Sequence, residues 1–426
     1  MSTAAAIIGD AKERPLPSLT SNFMWTLGGN VIYSASQWGM LSILAKRGSP
    51  AIVGVFALGL AVSAPVFMFC NLQLRSVQAT DAQARYQFAD FFVLRSVFTL
   101  AALLFIGGVS AVAGYRGEVL VVLIALSVAK AFESWSDVVA GLLQRHERLD
   151  LAARSVSVRG ALSLVVFGSV FAATRKVSAA CIALAITWAT VVCVYDTTLA
   201  RGVLLKGEGF FSASTTRMWE LLKKSLPLGI VMTLISLNVN VPRYLIAHYL
   251  GAGQLGIFAS LAYLLTAVNL LSLALGQAAA ARMATMFAVG DLERFRDVLA
   301  KLSGFGVAIG GVACGIAFGF GKTLLKLLYG PSYSSHQELL LILAATAGIS
   351  TIATFMGFAA TSAQSFRAQV PVIAAMSITT LVGSWLLVPL LGLNGAGIAL
   401  LISAIVQLAG LTLVTWKAMN ARRELL

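Results

Sequence analysis

Three charged residues lie in the interior of one long apolar stretch of the chain, residues 118–142: Lys130, Glu133 and Asp137. Spacings of three and seven residues place their side chains along one face of a helix. If the stretch crosses a membrane, each charge costs several kcal/mol unless it is paired or hydrated. Lys130 is then positioned to attract an anionic group in a cavity, while Glu133 tunes that lysine or carries a proton. The alternative is that Lys130 and Glu133 only neutralise one another inside a bundle of helices.

Further charged residues lie within apolar stretches or near their ends. Arg243 follows Pro242, which is expected to break its helix locally and free carbonyl groups, as at a kink that lines a cavity. Extension of Arg243 to the membrane surface is the alternative for this side chain. Arg95 and Arg159 lie near the ends of their stretches, so we expect both to extend toward the surface. Asp196 is expected to be interfacial for the same reason.

The residue types that usually support catalysis are dispersed. His146, His248 and His336 lie in separate segments and form neither an H-E-x-x-H motif nor a triad-like neighbourhood. The chain also lacks a G-x-x-x-x-G-K-[ST] nucleotide-binding loop. Its four cysteines lie in apolar stretches without metal-type spacing, as is usual for small buried side chains. We therefore expect no enzymatic activity, no cofactor and no bound metal.

The composition indicates that membrane-spanning elements position these residues. Of 426 residues, 58% are hydrophobic and 11% are charged, and the mean hydropathy is +0.87. A soluble globular chain carries about 25% charged residues. So little charge cannot cover a water-soluble protein, which excludes soluble enzymes, disordered scaffolds and nucleic-acid-binding proteins. The net charge of +14 is distributed over short loops, so it indicates topology rather than a polyanionic partner.

Apolar stretches long enough to cross a bilayer recur along the whole chain. A hydrocarbon core about 30 Å thick requires about 20 mostly apolar residues per helix. This rule predicts twelve spans, at residues 22–44, 50–70, 91–114, 118–142, 156–174, 177–199, 221–246, 254–281, 299–321, 338–362, 368–390 and 394–416. Longer polar connections are expected at 71–90, 143–155, 200–220, 282–298 and 322–337.

The lysine and arginine residues in the predicted loops orient the chain. With both termini placed in the cytoplasm, 22 of the 31 positive residues lie on the inner side and 7 on the outer side. The two that remain within spans are Lys130 and Arg243. Because positive residues concentrate on the cytoplasmic side of membrane proteins, we predict that both termini are cytoplasmic.

A faint internal repeat divides the predicted spans in half. The strings LA and GVFA in residues 44–57 match IA and GIFA in residues 246–259 at an offset of 202 residues. Each half then holds six spans, so we expect an all-α polytopic membrane protein of two pseudo-symmetric six-helix bundles. The expected boundaries are a tail at 1–20, a bundle at 21–205, a linker at 206–220, a second bundle at 221–416 and a tail at 417–426.

Five sequence strings, in their order and spacing, resemble those of a known transporter family. They are NLQLRSVQATD at 71–81, GLLQRHER at 141–148, NVPRY at 240–244, YGPSY at 329–333 and GLNGAG at 392–397. The chain resembles the Wzx-type oligosaccharide flippases of the multidrug/oligosaccharidyl-lipid/polysaccharide exporter superfamily over nearly its whole length.

The resemblance implies two six-helix bundles around a central cavity that opens alternately to each side. It also implies a substrate, undecaprenyl-pyrophosphate-linked oligosaccharide, moved to the periplasmic leaflet of the bacterial inner membrane for O-antigen, capsule or exopolysaccharide synthesis. The expected partners are this lipid-linked glycan and the bilayer. A cationic cavity suits the diphosphate because Coulomb attraction strengthens where water is scarce. On this basis Lys130 and Arg243 are candidate lumen residues, and Arg75 and Arg95 are candidates for its inner mouth.

The sequence is compatible with more than one mechanism and function. Coupling to a proton or sodium gradient through Glu133 or Asp137 is compatible with the sequence. The sequence is also compatible with a protein that acts beside a polysaccharide polymerase and a chain-length regulator. A cation-coupled small-molecule exporter of the same superfamily is the main alternative function. A membrane glycan polymerase or ligase is disfavoured because no large outer loop is predicted, and a major-facilitator sugar porter is disfavoured because the G-x-x-x-D-R-x-G-R-R pattern is absent.

Overall fold

The computed structural model describes residues 18–81, 83, 85–204 and 209–424. Within these ranges the backbone is helical apart from short turns, and no strand is present. The expected all-α fold is therefore confirmed. Residues 1–17 and 425–426 of the predicted tails and residues 206–208 of the predicted linker lie outside the described residues.

Fourteen α-helices follow one another along the described chain. The earlier ones are α1 (Leu19–Arg47), α2 (Pro50–Cys70), α3 (Leu74–Ala79), α4 (Phe88–Val112), α5 (Gly117–Arg145), α6 (Leu149–Thr174), α7 (Val177–Thr190) and α8 (Thr197–Val203), with a π-helical turn (Val191–Asp196) between α7 and α8. The later ones are α9 (Thr215–Tyr249), α10 (Gly251–Leu264), α11 (Thr266–Val289), α12 (Leu292–Tyr329), α13 (Gln337–Ser362) and α14 (Phe366–Arg423), with a 3-10 turn (Pro331–His336) before α13.

Ten helical segments of the described chain are long and apolar enough to cross a membrane. The longest, α14, has 58 residues and is interrupted at Gly392, whose backbone angles (φ 59°, ψ −136°) lie outside the helical region. Each of the two parts is long enough to cross a bilayer. Large apolar side chains such as Leu104, Val112 and Phe318 are exposed, as expected of a surface that faces lipid rather than water. The count of twelve spans and the cytoplasmic termini stay predictions.

The polar connection predicted at 282–298 is mostly helical. In 282–298, α11 extends to Val289 and α12 begins at Leu292, with Gly290 in a left-handed conformation (φ 88°) at the turn. The side chain of Asp291 accepts a hydrogen bond from the Arg294 backbone N–H at 3.1 Å, which caps α12. Charged residues of this polar connection therefore lie in helical turns that extend beyond the apolar parts of α11 and α12.

The described chain divides into two compact units. The first comprises the described residues of Met1–Gly48 and Val55–Ser236, and the second those of Ser49–Gly54 and Leu237–Leu426. Helix α9 begins in the first unit and ends in the second. Each unit has its own cavity, described separately below.

The segment that leads into α9 is anchored on α4 within the first unit. The fully buried Asp90 carboxylate accepts hydrogen bonds from the Ser214 backbone N–H at 2.9 Å and from Arg217 Nε at 2.6 Å. The same carboxylate accepts from the Gln87 backbone N–H, so it also completes the capping box at the start of α4. One acidic side chain therefore fixes both the start of α4 and the start of α9.

The short helix α3 lies close against α5 because α5 has glycine at the contact. A Cβ atom at Gly141 would lie 2.3 Å from the Gln78 side chain and 3.3 Å from the Arg75 Cα. Only glycine allows the two backbones to approach so closely. This contact brings Arg75, on α3, beside the charged face of α5.

Candidate functional site

A cavity of about 420 Å³ lies in the first unit, with α5 as one wall. Lys130, Glu133 and Asp137 all line it, as their spacing on one helix face allows. Helix α3 contributes Arg75 and α6 contributes Arg159. The cavity therefore collects charged side chains from three helices, α3, α5 and α6.

The Glu133 carboxylate is the centre of one charged cluster. Lys130 Nζ donates to Glu133 Oε2 at 2.6 Å, and Tyr33 Oη donates to Glu133 Oε1 at 2.6 Å. Arg159 Nη2 lies 3.9 Å from Oε1, within ion-pair distance. One carboxylate is thus held by two cations and a phenol, and the cluster carries a net positive charge.

The Asp137 carboxylate is the centre of a second cluster, one helical turn further along α5. Arg95 Nη2 donates to Asp137 Oδ2 at 3.0 Å, and Arg75 Nη1 donates to Asp137 Oδ1 at 3.4 Å. Arg75 Nε also donates to Gln144 Oε1 at 3.2 Å. The Arg95 side chain is fully buried, whereas the Arg75 side chain is 36% exposed. Arg75 therefore faces the cavity, and Arg95 supports Asp137 from behind.

Two aromatic rings hold the cations of the Glu133 cluster in place. The Arg159 guanidinium lies 5.6 Å from the centre of the Tyr33 ring and 5.4 Å from that of Trp188. Lys130 Nζ lies 5.6 Å from the centre of the Trp188 ring. Trp188 is itself fixed, because its Nε1 donates to Ser163 Oγ at 2.7 Å. Cation–π attraction of this kind is worth about 0.5–2 kcal/mol per pair.

Cations exceed carboxylates in and behind the cavity wall, by four to three. The cations are Arg75, Arg95, Lys130 and Arg159, and the carboxylates are Glu133, Asp137 and Asp196. An anion that enters would meet this excess in a partly enclosed space, where electrostatic interactions are screened less than in bulk water. The arrangement suits the binding of an anionic group, without a nucleophile and base set for covalent chemistry.

Three side chains occupy positions that differ from the sequence-based expectation. Arg95 and Arg159 do not extend to a surface, because both are buried and paired with the carboxylates of Asp137 and Glu133. Asp196 is buried rather than interfacial, and it accepts a hydrogen bond from the Ser155 hydroxyl. Asp196 is the last residue of the π-helical turn, and it lies on the cavity wall. Turns of this kind are often found at functional sites.

Arg243 lies apart from these residues, in the second unit. It lines a cavity of about 240 Å³ together with Asn238, Asn269 and Gln407. Its Nη1 donates to Asn240 Oδ1 at 3.0 Å. The break expected at the preceding proline does not end the helix, because α9 continues to Tyr249.

The structure thus brings together four of the six predicted site residues on one cavity wall: Lys130, Glu133, Asp137 and Arg75. Arg95 supports that wall, and Arg243 belongs to another cavity. Sequence analysis missed Tyr33 and Trp188, and it misplaced Arg159 and Asp196. In the sequence, an aromatic residue that contacts a cation cannot be distinguished from an aromatic residue of the apolar core. Among the described residues, no group of three or more His, Cys, Asp or Glu side chains is arranged to hold a metal.

No protein-family model matches the chain. A relative from Staphylococcus aureus, the capsular polysaccharide biosynthesis protein CapF, is 24% identical over 394 residues, which cover 92% of this chain and 97% of that protein. The similarity therefore extends over nearly the full length of both chains.

Several solved membrane transporters have the same fold. The lipid II flippase MurJ, in an inward closed conformation, matches with a TM-score of 0.67 at 11% identity, over 94% of this chain and 91% of that one. An inward-facing multidrug resistance MATE family transporter of the MOP superfamily matches with a TM-score of 0.61 at 13% identity, over 99% of each chain. At such identities the likeness concerns the fold alone. The chain has the fold of a multi-pass membrane transporter, which MATE transporters and the MurJ flippase share.

Proposed function

We propose that this chain is a Wzx-type flippase. It moves undecaprenyl-pyrophosphate-linked oligosaccharide repeat units from the inner to the outer leaflet of the bacterial inner membrane. The product serves the synthesis of a surface polysaccharide, namely O-antigen, capsule or exopolysaccharide. Similarity to a capsular polysaccharide biosynthesis protein and to the fold of a lipid II flippase supports this proposal.

The observation that carries the proposal is the cationic excess in the first-unit cavity. A lipid-linked diphosphate brings several negative charges into a region where few water molecules can solvate them. Lysine and arginine donate short, charge-assisted hydrogen bonds to phosphate oxygens. In the cavity, Lys130, Arg75 and Arg159 are the cations placed to do so. Asp137, which is itself paired with Arg95, holds Arg75 in position.

The proposed mechanism is alternating access without covalent chemistry, so the chain is not an enzyme. Two six-helix bundles, with both termini cytoplasmic, would open in turn to each side of the membrane. The headgroup enters the inward-open cavity while the polyprenyl tail stays in lipid. Arg243 provides a cationic contact in the second unit. A polysaccharide polymerase and a chain-length regulator would act on the flipped product.

A cation-coupled small-molecule exporter is the second candidate, and the fold similarity to a MATE transporter favours it. Such an exporter needs an acidic side chain available to a cation. Of the three carboxylates in the first-unit cavity, Glu133 and Asp137 are both occupied by cationic side chains. The third, Asp196, is 1% exposed and accepts a hydrogen bond from the Ser155 hydroxyl. This pairing makes the anion-binding function the better supported of the two.

The proposal is tested by measuring lipid-linked oligosaccharide in each membrane leaflet, in strains with and without the gene and with no other flippase for that glycan. We expect the oligosaccharide to accumulate in the cytoplasmic leaflet when the gene is removed. Its mass would identify the sugar. A normal distribution between leaflets in the deletion strain would exclude the flippase and leave the small-molecule exporter as the function.

A further inference from the structure

The two carboxylates on α5 differ in how firmly they are held. Asp137 pairs with Arg95, which is fully buried, and within the described residues Arg95 has no second carboxylate partner. Two other Arg95 nitrogens, Nε and Nη1, have no hydrogen-bond partner in that part of the chain. Loss of Asp137 would leave a buried, unpaired charge, which typically costs about 3–5 kcal/mol. Asp137 is therefore a fixed part of the wall.

Glu133 is held by groups that water, a ligand or aromatic rings also contact. Lys130 and Glu133 are 28% and 24% exposed, so water or a ligand can reach both. Arg159 lies as far as 3.9 Å from the carboxylate, and its guanidinium lies 5.6 and 5.4 Å from the centres of the Tyr33 and Trp188 rings. Its Nε and Nη1 have no hydrogen-bond partner among the described residues, so they are available to an anion. If Glu133 turned away, water could solvate Lys130, and the aromatic rings would still stabilise Arg159.

The donors that surround Glu133 are those that would bind a phosphate. A lysine ammonium, a guanidinium and a phenol O–H all converge on one pair of carboxylate oxygens. Phosphate oxygens accept from the same donors with similar geometry. A charged Glu133 and a phosphate cannot both occupy the space between Lys130 and Arg159, because like charges repel strongly at such distances.

From this geometry we infer that Glu133 is an exchangeable internal anion. It occupies the diphosphate position on Lys130 and Arg159 until the substrate displaces it. The inference rests on the proposed function and adds a specificity rule to it. To bind, a headgroup must displace the Glu133 carboxylate from Lys130 and Arg159. A diphosphate can do so because it is an anion, and a neutral headgroup cannot. The same competition releases the substrate, because Glu133 recaptures the two cations as the headgroup leaves.

The test is isothermal titration of inorganic pyrophosphate into the purified full-length chain in lipid nanodiscs. Glu133→Gln keeps the shape of the side chain and removes the competing charge. We expect it to bind pyrophosphate about tenfold more tightly than the wild-type chain, a change equivalent to about 1.4 kcal/mol. Glu293→Gln, which alters an exposed carboxylate of α12 outside the cavity, makes the same change in net charge and should bind like the wild type.

One further variant and a second assay keep the test decisive. Tyr33→Phe removes a donor that Glu133 and the phosphate would share, without changing any charge, so the two effects should largely cancel and pyrophosphate should bind about as tightly as to the wild type. In a reconstituted flipping assay, Glu133→Gln should combine a lower half-saturating substrate concentration with a lower maximal rate. Structural damage would not raise affinity, so this combination separates exchange from misfolding.

Lys130→Gln distinguishes failure of the inference from failure of the proposed function. If Lys130→Gln weakens pyrophosphate binding but Glu133→Gln weakens it too or leaves it unchanged, the exchange role of Glu133 is wrong and the anion site stands. If Lys130→Gln leaves pyrophosphate binding unchanged, the cavity is not the anion site and the proposed function loses its main support.

Discussion

The two units of this chain hold charge in opposite ways. In the first unit, four cations and three carboxylates lie in or behind the wall of one cavity, and most of them are paired. In the second, the cavity that contains Arg243 is lined by amides, hydroxyls and apolar side chains, and no described carboxylate faces it. A paired network tolerates several buried charges because each cation has a counter-charge, whereas a single arginine must rely on neutral hydrogen-bond acceptors.

The difference indicates separate roles for the two cavities. In the mechanism we propose, the first cavity rearranges its ion pairs when an anion arrives, because partners can exchange at modest cost. The second has one cation, held by Asn240, and has no internal anion among its described lining residues to exchange. We therefore expect recognition of the diphosphate to depend on the first cavity, and we expect Arg243 to contribute a weaker contact.

The largest expected effect comes from breaking the fixed pair in the first unit. Asp137→Asn leaves the buried Arg95 without its carboxylate, which should lower the free energy of unfolding by about 3–5 kcal/mol. Thermal unfolding of the purified variant in detergent measures this loss. A double variant, Arg95→Met with Asp137→Asn, should recover most of it. A stability of Asp137→Asn equal to the wild type would show that the pair is not structural.

Neutralising the accessible lysine should affect function more than stability. Lys130→Gln removes a cation that is 28% exposed, so the fold should tolerate the change. We expect flipping to decrease about tenfold at low substrate concentration, as for the loss of one charge-assisted contact, with normal expression and membrane insertion. Surface polysaccharide and protein level, measured in the same cells, check this expectation. Unchanged polysaccharide at normal protein level would remove Lys130 from the site.

Replacing Trp188, whose ring contacts two cations of the Glu133 cluster, should have an intermediate effect on anion binding. Trp188→Leu removes a ring next to both Lys130 and Arg159 and the hydrogen bond to Ser163. Each cation–π contact contributes about 0.5–2 kcal/mol, so pyrophosphate affinity should fall several-fold. Trp188→Phe keeps a ring and should lose less. Titration of both variants with pyrophosphate distinguishes the cation–π contacts from simple packing, which predicts equal losses.

The smallest effect is expected at the single cation of the second unit. Arg243→Met removes one hydrogen bond to Asn240 and also removes the cost of burying a charge. These terms oppose one another, so the free energy of unfolding should change by about 1 kcal/mol or less. Thermal unfolding of Arg243→Met measures this change. If the free energy of unfolding decreased as much as in Asp137→Asn, the two units would hold charge in the same way.

The sequence predicted the fold class and the charged face of α5, and physical reasons explain why. Composition alone requires a membrane protein, and a charge is so costly in an apolar span that Lys130, Glu133 and Asp137 stand out. Their spacing then places them on one side of α5. The structure puts all three on the wall of one cavity.

The partners of those residues were not predictable from one sequence. Arg95 is 42 residues from Asp137 in the chain, and its distance from the end of a span does not reveal whether a counter-charge lies nearby. Asp196 lines the cavity at the end of a π-helical turn, and no residue pattern in the sequence predicts that turn. Close approach of α3 through Gly141, which places Arg75, is likewise a tertiary effect.

One measurement tests the central claim most directly: transport by the purified chain in proteoliposomes. A fluorescent oligosaccharide linked through a diphosphate to a polyprenyl chain is placed in one leaflet, and its arrival in the other is followed over time. The account predicts flipping by the wild-type chain and about tenfold slower flipping by Lys130→Gln at low substrate concentration. Absence of flipping by the wild-type chain, or equal rates for the two proteins, would contradict it.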